Sequence, residues 1–270
     1  MCASENMKHE TGDSERRAIG ALLVGDELLT GKRVDKHLPK LIELLAARGL
    51  ELSWAQYVGD DAARLRAVLA RTLADDDIVF SFGGIGATPD DRTRQCAAAA
   101  AGLELAIHPE GRAVLEERFG DRLYPHRIRM VEWPVGAEPI PNPVNGVPGF
   151  SLRHHHFVPG FPSMAWPMVE WVLDRRYAEM HNPDPPVEYL IEVRDTPESE
   201  LIDLMEAIMA AHPSVRLACL PNASGRRVIE LGLRGPRAAA VAAYDALVGA
   251  LTDQVLPMTP LRAPEDESAA

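Results

Sequence analysis

Apolar segments that alternate with amphipathic segments constrain this fold more than any other feature of the sequence. Residues 18–24 (AIGALLV) and 78–82 (IVFSF) are almost uninterrupted hydrophobic runs, which are typical of strands buried on both faces. Residues 51–58 are predicted to form a further strand, and the helical spacing of leucines predicts an amphipathic helix in each interval. Strand, helix, strand, helix, strand indicates right-handed crossover units, so we predict a three-layer α/β domain with a mostly parallel sheet.

The length of 270 residues favours two modest domains, at roughly 150 residues per domain. Residues 1–17 are polar and are predicted to be a disordered tail, followed by the α/β domain over 18–183. The Pro-rich segment MHNPDPPVE marks the linker. Residues 184–256 carry strand and helix patterns that predict a small α+β domain, and 257–270 are expected to be a flexible tail.

The charge balance excludes some classes of partner. A net charge of -12 argues against nucleic acid or an anionic membrane as the main partner, because both require a basic face. No apolar run reaches the roughly 18 residues of a membrane span. Three scattered cysteines give no disulfide framework. We therefore expect a cytoplasmic protein whose partner is a small molecule.

The segment GGIGATPDDRT (83–93) is the strongest candidate for a binding site, because it lies between a predicted buried strand and a predicted helix. Ligands of open parallel sheets bind beyond the carboxyl ends of the strands, where glycines let backbone N–H groups approach a phosphate. The segment lacks both GxGxxG and the Walker lysine, so ordinary dinucleotide and ATP loops are set aside.

Two explanations of this segment remain open. Thr88, Pro89 and Asp91 have the order of a helix cap, which is a purely structural role. The adjacent carboxylates of Asp90 and Asp91 would repel a phosphate unless a divalent cation such as Mg²⁺ bridged them. The second explanation predicts a metal-assisted phosphate site.

Two further acidic loops are expected at the same edge of the sheet. GDELLTGK (25–32) follows the first predicted strand, and Glu27 is a candidate for orienting a ligand hydroxyl or for acid–base catalysis. VGDD (58–61) ends the second strand, where Asp60 is expected to face inward while Asp61 caps the helix. By contrast, the run from His154 to His156 alternates between the faces of a strand, which favours a structural role over a metal site.

The motifs GDELLTGKRVDKH, VGDD, GGIGATPDDRTR, IPNPVNGVPGF and VPGFPS occur in this order and spacing. Together they resemble the CinA competence/damage-inducible protein family, in its N-terminal molybdopterin-binding-like domain of the MoaB/Mog type. The matching segments cover residues 18–178, and the part from TPESEL on resembles the family's small second domain. The resemblance does not include the family's deamidase domain, which we expect to be absent. The resemblance implies the three-layer fold, a pterin or nucleotide pyrophosphate ligand, and a homo-oligomer.

The resemblance also implies site residues. It makes Asp91 and Asp60 the catalytic candidates and places a divalent cation on Asp90 and Asp91. The positions that it implies for ligand binding are Asp26, Glu27, Thr30, Gly31, Gly83, Gly84, Gly86, Thr88, Asn142, Pro143, Pro148 and Gly149.

Four positions depart from the family pattern. The family usually has Asn at His37, Pro at Ala87, Gly at Asn145 and Glu at Met164. Losing a glycine can close a backbone approach, and losing a glutamate removes a charge, so these changes indicate a reshaped pocket or weakened catalysis.

Three functions therefore remain open. One is metal-dependent hydrolysis of a nucleotide pyrophosphate such as ADP-ribose, with adenylyl transfer to molybdopterin as a variant. Another is a non-catalytic ligand sensor or assembly partner, and the third is a structural protein without a small-molecule site. We favour a protein that binds a molybdopterin-like or nucleotide pyrophosphate ligand with the hydrolytic activity, and we keep the sensor as the alternative and the structural protein as the third interpretation.

Overall fold

The computed structural model describes residues 17–221 and 228–264. These form two compact units that divide between His181 and Asn182. The predicted α/β class with a small second domain is confirmed. In the first unit the strands are β1 (Ile19–Val24), β2 (Trp54–Val58), β3 (Ile78–Phe82), β4 (Leu105–Ile107), β5 (Glu132–Pro134), β6 (Glu138–Ile140), β7 (Gly149–Leu152) and β8 (His155–Val158). Its helices are α1 (Asp26–Leu29), α2 (His37–Ala46), α3 (Ala62–Ala74), α4 (Thr93–Ala101), α5 (Pro109–Phe119) and α6 (Pro162–Arg176).

A six-stranded sheet in the order β2-β1-β3-β8-β7-β6 organises the first unit. The strands β2, β1, β3 and β8 run parallel, while β7 and β6 complete the sheet as antiparallel neighbours. The Pro- and Gly-rich region after residue 124 thus forms short strands joined by turns, as its composition predicts. The four parallel strands direct their carboxyl ends to one edge of the sheet.

Helices cover both faces of this sheet and give the unit two cores. Leu65 of α3 and Ala97 of α4 pack on one face, and Leu41 of α2 and Val172 of α6 pack on the other. All of β1 and β3 is buried, because each strand is sandwiched between these layers. The uninterrupted apolar runs of the sequence reflect this burial on two sides.

Local sequence signals set several element ends. Asp61 caps α3 by accepting a hydrogen bond of 2.8 Å from the backbone N–H of Arg64, as predicted. Gly102 ends α4 in the left-handed conformation at φ 67°. Helix α6 begins at Pro162, which a first helical turn accepts, and it contains Pro167 in its interior.

The second unit is an antiparallel sheet in the order β10-β11-β9-β12. Its elements are β9 (Val187–Arg194), α7 (Glu198–Ala211), β10 (Arg216–Pro221), β11 (Val228–Gly235), α8 (Arg237–Asp253) and β12 (Met258–Arg262). The βαββαβ order is the ferredoxin-like arrangement. Apolar residues of both helices and of the strands share one core.

The predicted extent of the C-terminal tail is wrong at its beginning. Residues 258–262 form β12, which pairs with β9 at the edge of the sheet. An edge position tolerates Pro260, and Met258 packs against the core. Residues 1–16 and 265–270 of the two predicted tails lie outside the described residues. Across 17–221 and 228–264, no helix combines the length and hydrophobicity needed to cross a membrane.

Candidate functional site

A cavity of about 630 Å³ opens at the carboxyl ends of the parallel strands. Val24 ends β1, Asp60 follows β2, Gly83 follows β3, and Pro159 follows β8, and all four line the cavity. The cavity therefore lies where the sequence analysis places the ligand.

The first two acidic loops lie at the same edge, as predicted, and hydrogen bonds join them directly. The backbone N–H of Asp26 donates to Asp60 Oδ2 at 3.0 Å, and the N–H of Asp60 donates to Asp26 Oδ1 at 3.1 Å. This reciprocal pair fixes the Asp60 carboxylate at the rim, while Asp26 itself stays outside the lining.

The glycine turn, residues 83–86, has a backbone that requires glycine. Gly83 and Gly84 have φ values of 99° and 69°, which side chains disfavour. A Cβ on Gly83 would also lie 2.5 Å from the carbonyl oxygen of Val24. Thr93 closes the turn, since its hydroxyl donates to Gly83 O at 3.0 Å and its N–H donates to Gly84 O at 2.9 Å.

Arg94 stabilises the same turn from the interior of the protein, a role that the sequence pattern did not predict. Its side chain is 1% exposed, and Nη2 donates to Gly86 O at 2.8 Å while Nη1 donates to Glu132 O at 3.1 Å. Burial lowers the pKa of Arg94. The only sequence signal was a cation next to the glycine motif, on a helix that otherwise packs with alanines.

The helix-cap explanation of Thr88 and Asp91 is half right. The N–H and the hydroxyl of Thr88 both donate to Asp91 Oδ2, the former at 3.0 Å, as in part of a capping box. Helix α4, however, begins only at Thr93, and its N-cap Arg92 makes no side-chain cap. The contact shapes the loop that lines the cavity and caps no helix.

Carboxylates dominate one part of the lining: Glu27, Asp60, Asp90 and Asp91. Burial, followed by the charges of Asp26, Glu27 and Asp90, raises the pKa of Asp60. Such a cluster favours a proton or a hard cation.

The carboxylates fit a divalent cation only in part. Within the described ranges, no group of three or more His, Cys, Asp or Glu side chains is arranged to hold a metal. Mg²⁺ is usually bound by one or two carboxylates together with waters and substrate phosphates. The donor set therefore suits a cation that arrives with a phosphate ligand.

The late loop, residues 142–148, forms another part of the wall. Asn142 Nδ2 donates to Asn145 Oδ1 at 2.8 Å and to Val147 O at 3.0 Å. Asn145 Nδ2 in turn lies 2.9 Å from Met164 Sδ. Two of the departures from the family pattern are thus in contact, and both line the cavity.

The other two departures also lie at this edge. Ala87 lines the main cavity, and His37 lines an adjoining cavity of about 330 Å³ that shares Glu27 and Arg33 with it. His37 Nε2 lies 3.2 Å from Gly160 O, and burial lowers the pKa of its imidazole. All four departures therefore affect the walls of one connected region.

Some implied ligand residues do not line the cavity. Thr30 donates to Asp26 O at 2.9 Å and ends α1, and Gly31 forms the following turn at φ 71°. Gly149 is buried in β7, where a Cβ would collide with Phe157 O. Pro143 is also outside the lining. These residues shape the loops but do not face the ligand space.

The structure adds lining residues that the sequence analysis did not single out. They are charged, aromatic or apolar side chains from four segments, namely Arg33, Phe119, Arg127, Met130, Val147 and Phe161. Phe119 is the last residue of α5, and Arg127 and Met130 belong to the short helix Arg127–Val131, so the sequence pattern of neither segment indicates a position at the site.

The histidine run is remote from this chemistry. His155 Nε2 lies 2.9 Å from Thr72 Oγ1, whereas His154 and His156 both contact the hydroxyl of Tyr177. The predicted alternation of faces is confirmed, and the side chains find partners in the interior.

Comparison with known proteins identifies the family. Residues 20–178 match the family described as a probable molybdopterin binding domain. The chain belongs to this family. A CinA-like protein of Anaeromyxobacter dehalogenans strain 2CP-1 is 36% identical over 71% of the chain and 48% of its own length, and one of Escherichia coli O9:H4 strain HS is 32% identical over 81% and 56%. The chain thus spans about half the length of these curated relatives.

A solved structure agrees with the assignment. The protein CinA of Thermoplasma acidophilum, described as of unknown function, superimposes with a TM-score of 0.54 at 26% identity, over 58% of this chain and 96% of that one. The predicted resemblance to CinA proteins with a MoaB/Mog-like domain is confirmed.

Proposed function

We propose that this molybdopterin-binding-domain protein binds a molybdopterin-like or nucleotide pyrophosphate ligand over the glycine turn and hydrolyses it with a divalent cation. The observation that carries the proposal is the connected cavity at the strand ends, whose lining combines a turn that requires glycine with four carboxylates. Backbone N–H groups in such turns suit a phosphate.

The residues divide the work by chemistry. The turn at Gly83, Gly84 and Gly86 binds a phosphate through backbone N–H groups, because the space beside the three α-carbons is taken by Val24, Thr93 and Asp91. Asp90 and Asp91 hold the cation, which supplies charge neutralisation at the transferred phosphoryl group. The pKa of Asp60 is raised mainly by burial. As the general base, its carboxylate accepts a proton from the attacking water.

A second candidate, a non-catalytic sensor of the same ligand, also has a specific observation in its favour. Asp91 Oδ2 already accepts hydrogen bonds from the N–H and hydroxyl of Thr88. Asn145 and Met164 replace the residues usual in the family and contact each other at the wall. Both features suit binding without turnover.

One experiment separates the two functions. The purified protein is incubated with ADP-ribose, FAD, coenzyme A or ATP under Mg²⁺ or Co²⁺, and products are resolved by chromatography. The Asp91→Asn variant keeps an oxygen that accepts from Thr88 but loses the charge, so we expect binding without release of AMP or ADP. Asp203→Asn, at an exposed position of α7, is the control and retains full activity.

Binding without products in the unaltered protein would establish the sensor. Full turnover in Asp91→Asn would refute the assigned role of Asp91, and absence of binding would refute the proposed function as a whole.

A further inference from the structure

Two arginine side chains of the cavity lining form no salt bridge within the described part of the chain. Arg33 and Arg127 line the cavity, and among the described residues neither forms a salt bridge, unlike Arg48 or Arg176. Most of the charged lining is acidic, so an unpaired arginine stands out as a binding group for an anion.

Arg127 is held in place by its surroundings. Its guanidinium stacks over the ring of Phe119 with 5.1 Å between its central carbon and the ring centroid. Its Nη1 also donates to Arg122 O at 2.7 Å. The stacking and the hydrogen bond fix the plane of the guanidinium group and leave its other N–H groups free to donate. Arg127 therefore loses less conformational entropy when an anion binds.

The two arginines serve different parts of the lining. Arg33 also lines the adjoining cavity near His37, which Arg127 does not. Arg127 shares its part of the wall with Phe119 and Met130 and comes from the short helix Arg127–Val131.

We propose that Arg127, which stacks on Phe119, is a second anion subsite that binds one phosphate of the ligand while the glycine turn binds another. The ligand class is then a nucleoside diphosphate or a longer pyrophosphate, in preference to a monophosphate. This inference rests on the proposed function, because it assumes a phosphate at the glycine turn.

The chain offers a matched control for this subsite. Arg118 also stacks on Phe119, at 5.4 Å, but is not part of the lining. Each of the variants Arg118→Gln and Arg127→Gln thus removes one positive charge that stacks on the Phe119 ring. Only Arg127→Gln changes the lining of the cavity.

The test is calorimetric binding of AMP and ADP in the presence of Mg²⁺, because the carboxylates of the lining repel phosphate when no cation is bound, and chromatography checks that the ADP stays intact. We expect the unaltered protein and Arg118→Gln to prefer ADP by about tenfold, the size of one charge-assisted contact. Arg127→Gln should lose that preference and keep its affinity for AMP. Thermal unfolding checks that both variants are folded.

The outcomes are distinct. Equal affinity for AMP and ADP in the unaltered protein, or an intact preference in Arg127→Gln, would overturn the subsite while leaving the proposed function standing. Failure of both nucleotides and of inorganic pyrophosphate to bind the unaltered protein would overturn both.

Discussion

Two polar clusters attached to the same sheet differ in what surrounds them. The histidine cluster, formed by Ser151, His154, His155, His156, Tyr177 and Thr72, is largely sealed within the first unit, and His156 is fully buried. The carboxylate cluster, formed by Asp26, Glu27, Asp60, Asp90 and Asp91, lies at the carboxyl ends of the strands around the cavity.

The difference shows that residue type alone is a poor guide to function. Histidines are common catalysts and metal ligands, yet here their hydrogen bonds are satisfied internally. The aspartates follow strand ends, where chain reversal keeps polar groups near solvent and ligands. Changes in the histidine cluster should therefore affect stability, and changes in the carboxylate cluster should affect the ligand.

Mild acid should produce the largest effect, through the histidine cluster. Burial lowers the pKa of His155 to about 4, while an unfolded histidine titrates near 6.5, so the unfolded chain takes up the proton first. Stability is then complete above about pH 6.5 and is lost as the pH falls towards 4, with a loss of about 2 kcal/mol at pH 5 from His155 alone.

Urea unfolding between pH 7 and pH 5 measures this loss. His155→Gln should flatten the pH dependence, whereas the exposed His126→Gln should leave it unchanged. Identical slopes in the unaltered protein and His155→Gln would contradict the assignment.

Tyr177→Phe should lower stability by about 1–2 kcal/mol, because His156 Nε2 loses its buried partner at 2.7 Å. Ligand affinity should not change, since Tyr177 lies outside the cavity lining. Urea unfolding and calorimetry with ADP-ribose measure the two quantities. Tyr124→Phe, at an exposed tyrosine, is the control. A loss of ligand affinity in Tyr177→Phe would show that the histidine cluster also acts on the ligand, against the distinction drawn between the two clusters.

Asp60→Asn should show the opposite pattern. Burial and neighbouring acids raise the pKa of Asp60, so its ionised form weakens the fold above its unfolded pKa, and a neutral amide should slightly raise the melting temperature at pH 7. Turnover of ADP-ribose should be lost. Asp61→Asn keeps a helix-capping group and should retain turnover; a large fall in the melting temperature of Asp60→Asn would mean that the carboxylate is structural.

The contact between Asn145 and Met164 should give the smallest effect. Asn145→Gly and Met164→Glu restore the residues usual in the family, and their effects on ADP-ribose affinity should couple by about 0.5 kcal/mol or more. A double-mutant cycle by calorimetry measures the coupling. Strictly additive effects would show that the two departures act separately.

Much of the fold and part of the site follow from sequence patterns. The apolar runs of β1 and β3 predict a buried parallel sheet, and the strand ends then place Glu27, Asp60 and the glycine turn together. Arg94 and Arg127 could not be found in this way, because their positions depend on packing between segments distant in sequence. The edge strand β12 was missed because it is short, contains Pro260 and leads into the polar segment APEDESAA, and its order comes from pairing with β9 and from the contact of Met258 with the core.

Arg94 connects the glycine turn at the cavity to strand β5. Its guanidinium, which is inaccessible to water, joins the carbonyl of Gly86 to that of Glu132 in β5. A buried cation that loses either oxygen leaves a donor unsatisfied, which is costly. Arg94 therefore links the glycine turn to the two-stranded β4–β5 ribbon, and we expect a substitution in that ribbon to change ligand affinity without a direct contact to the ligand.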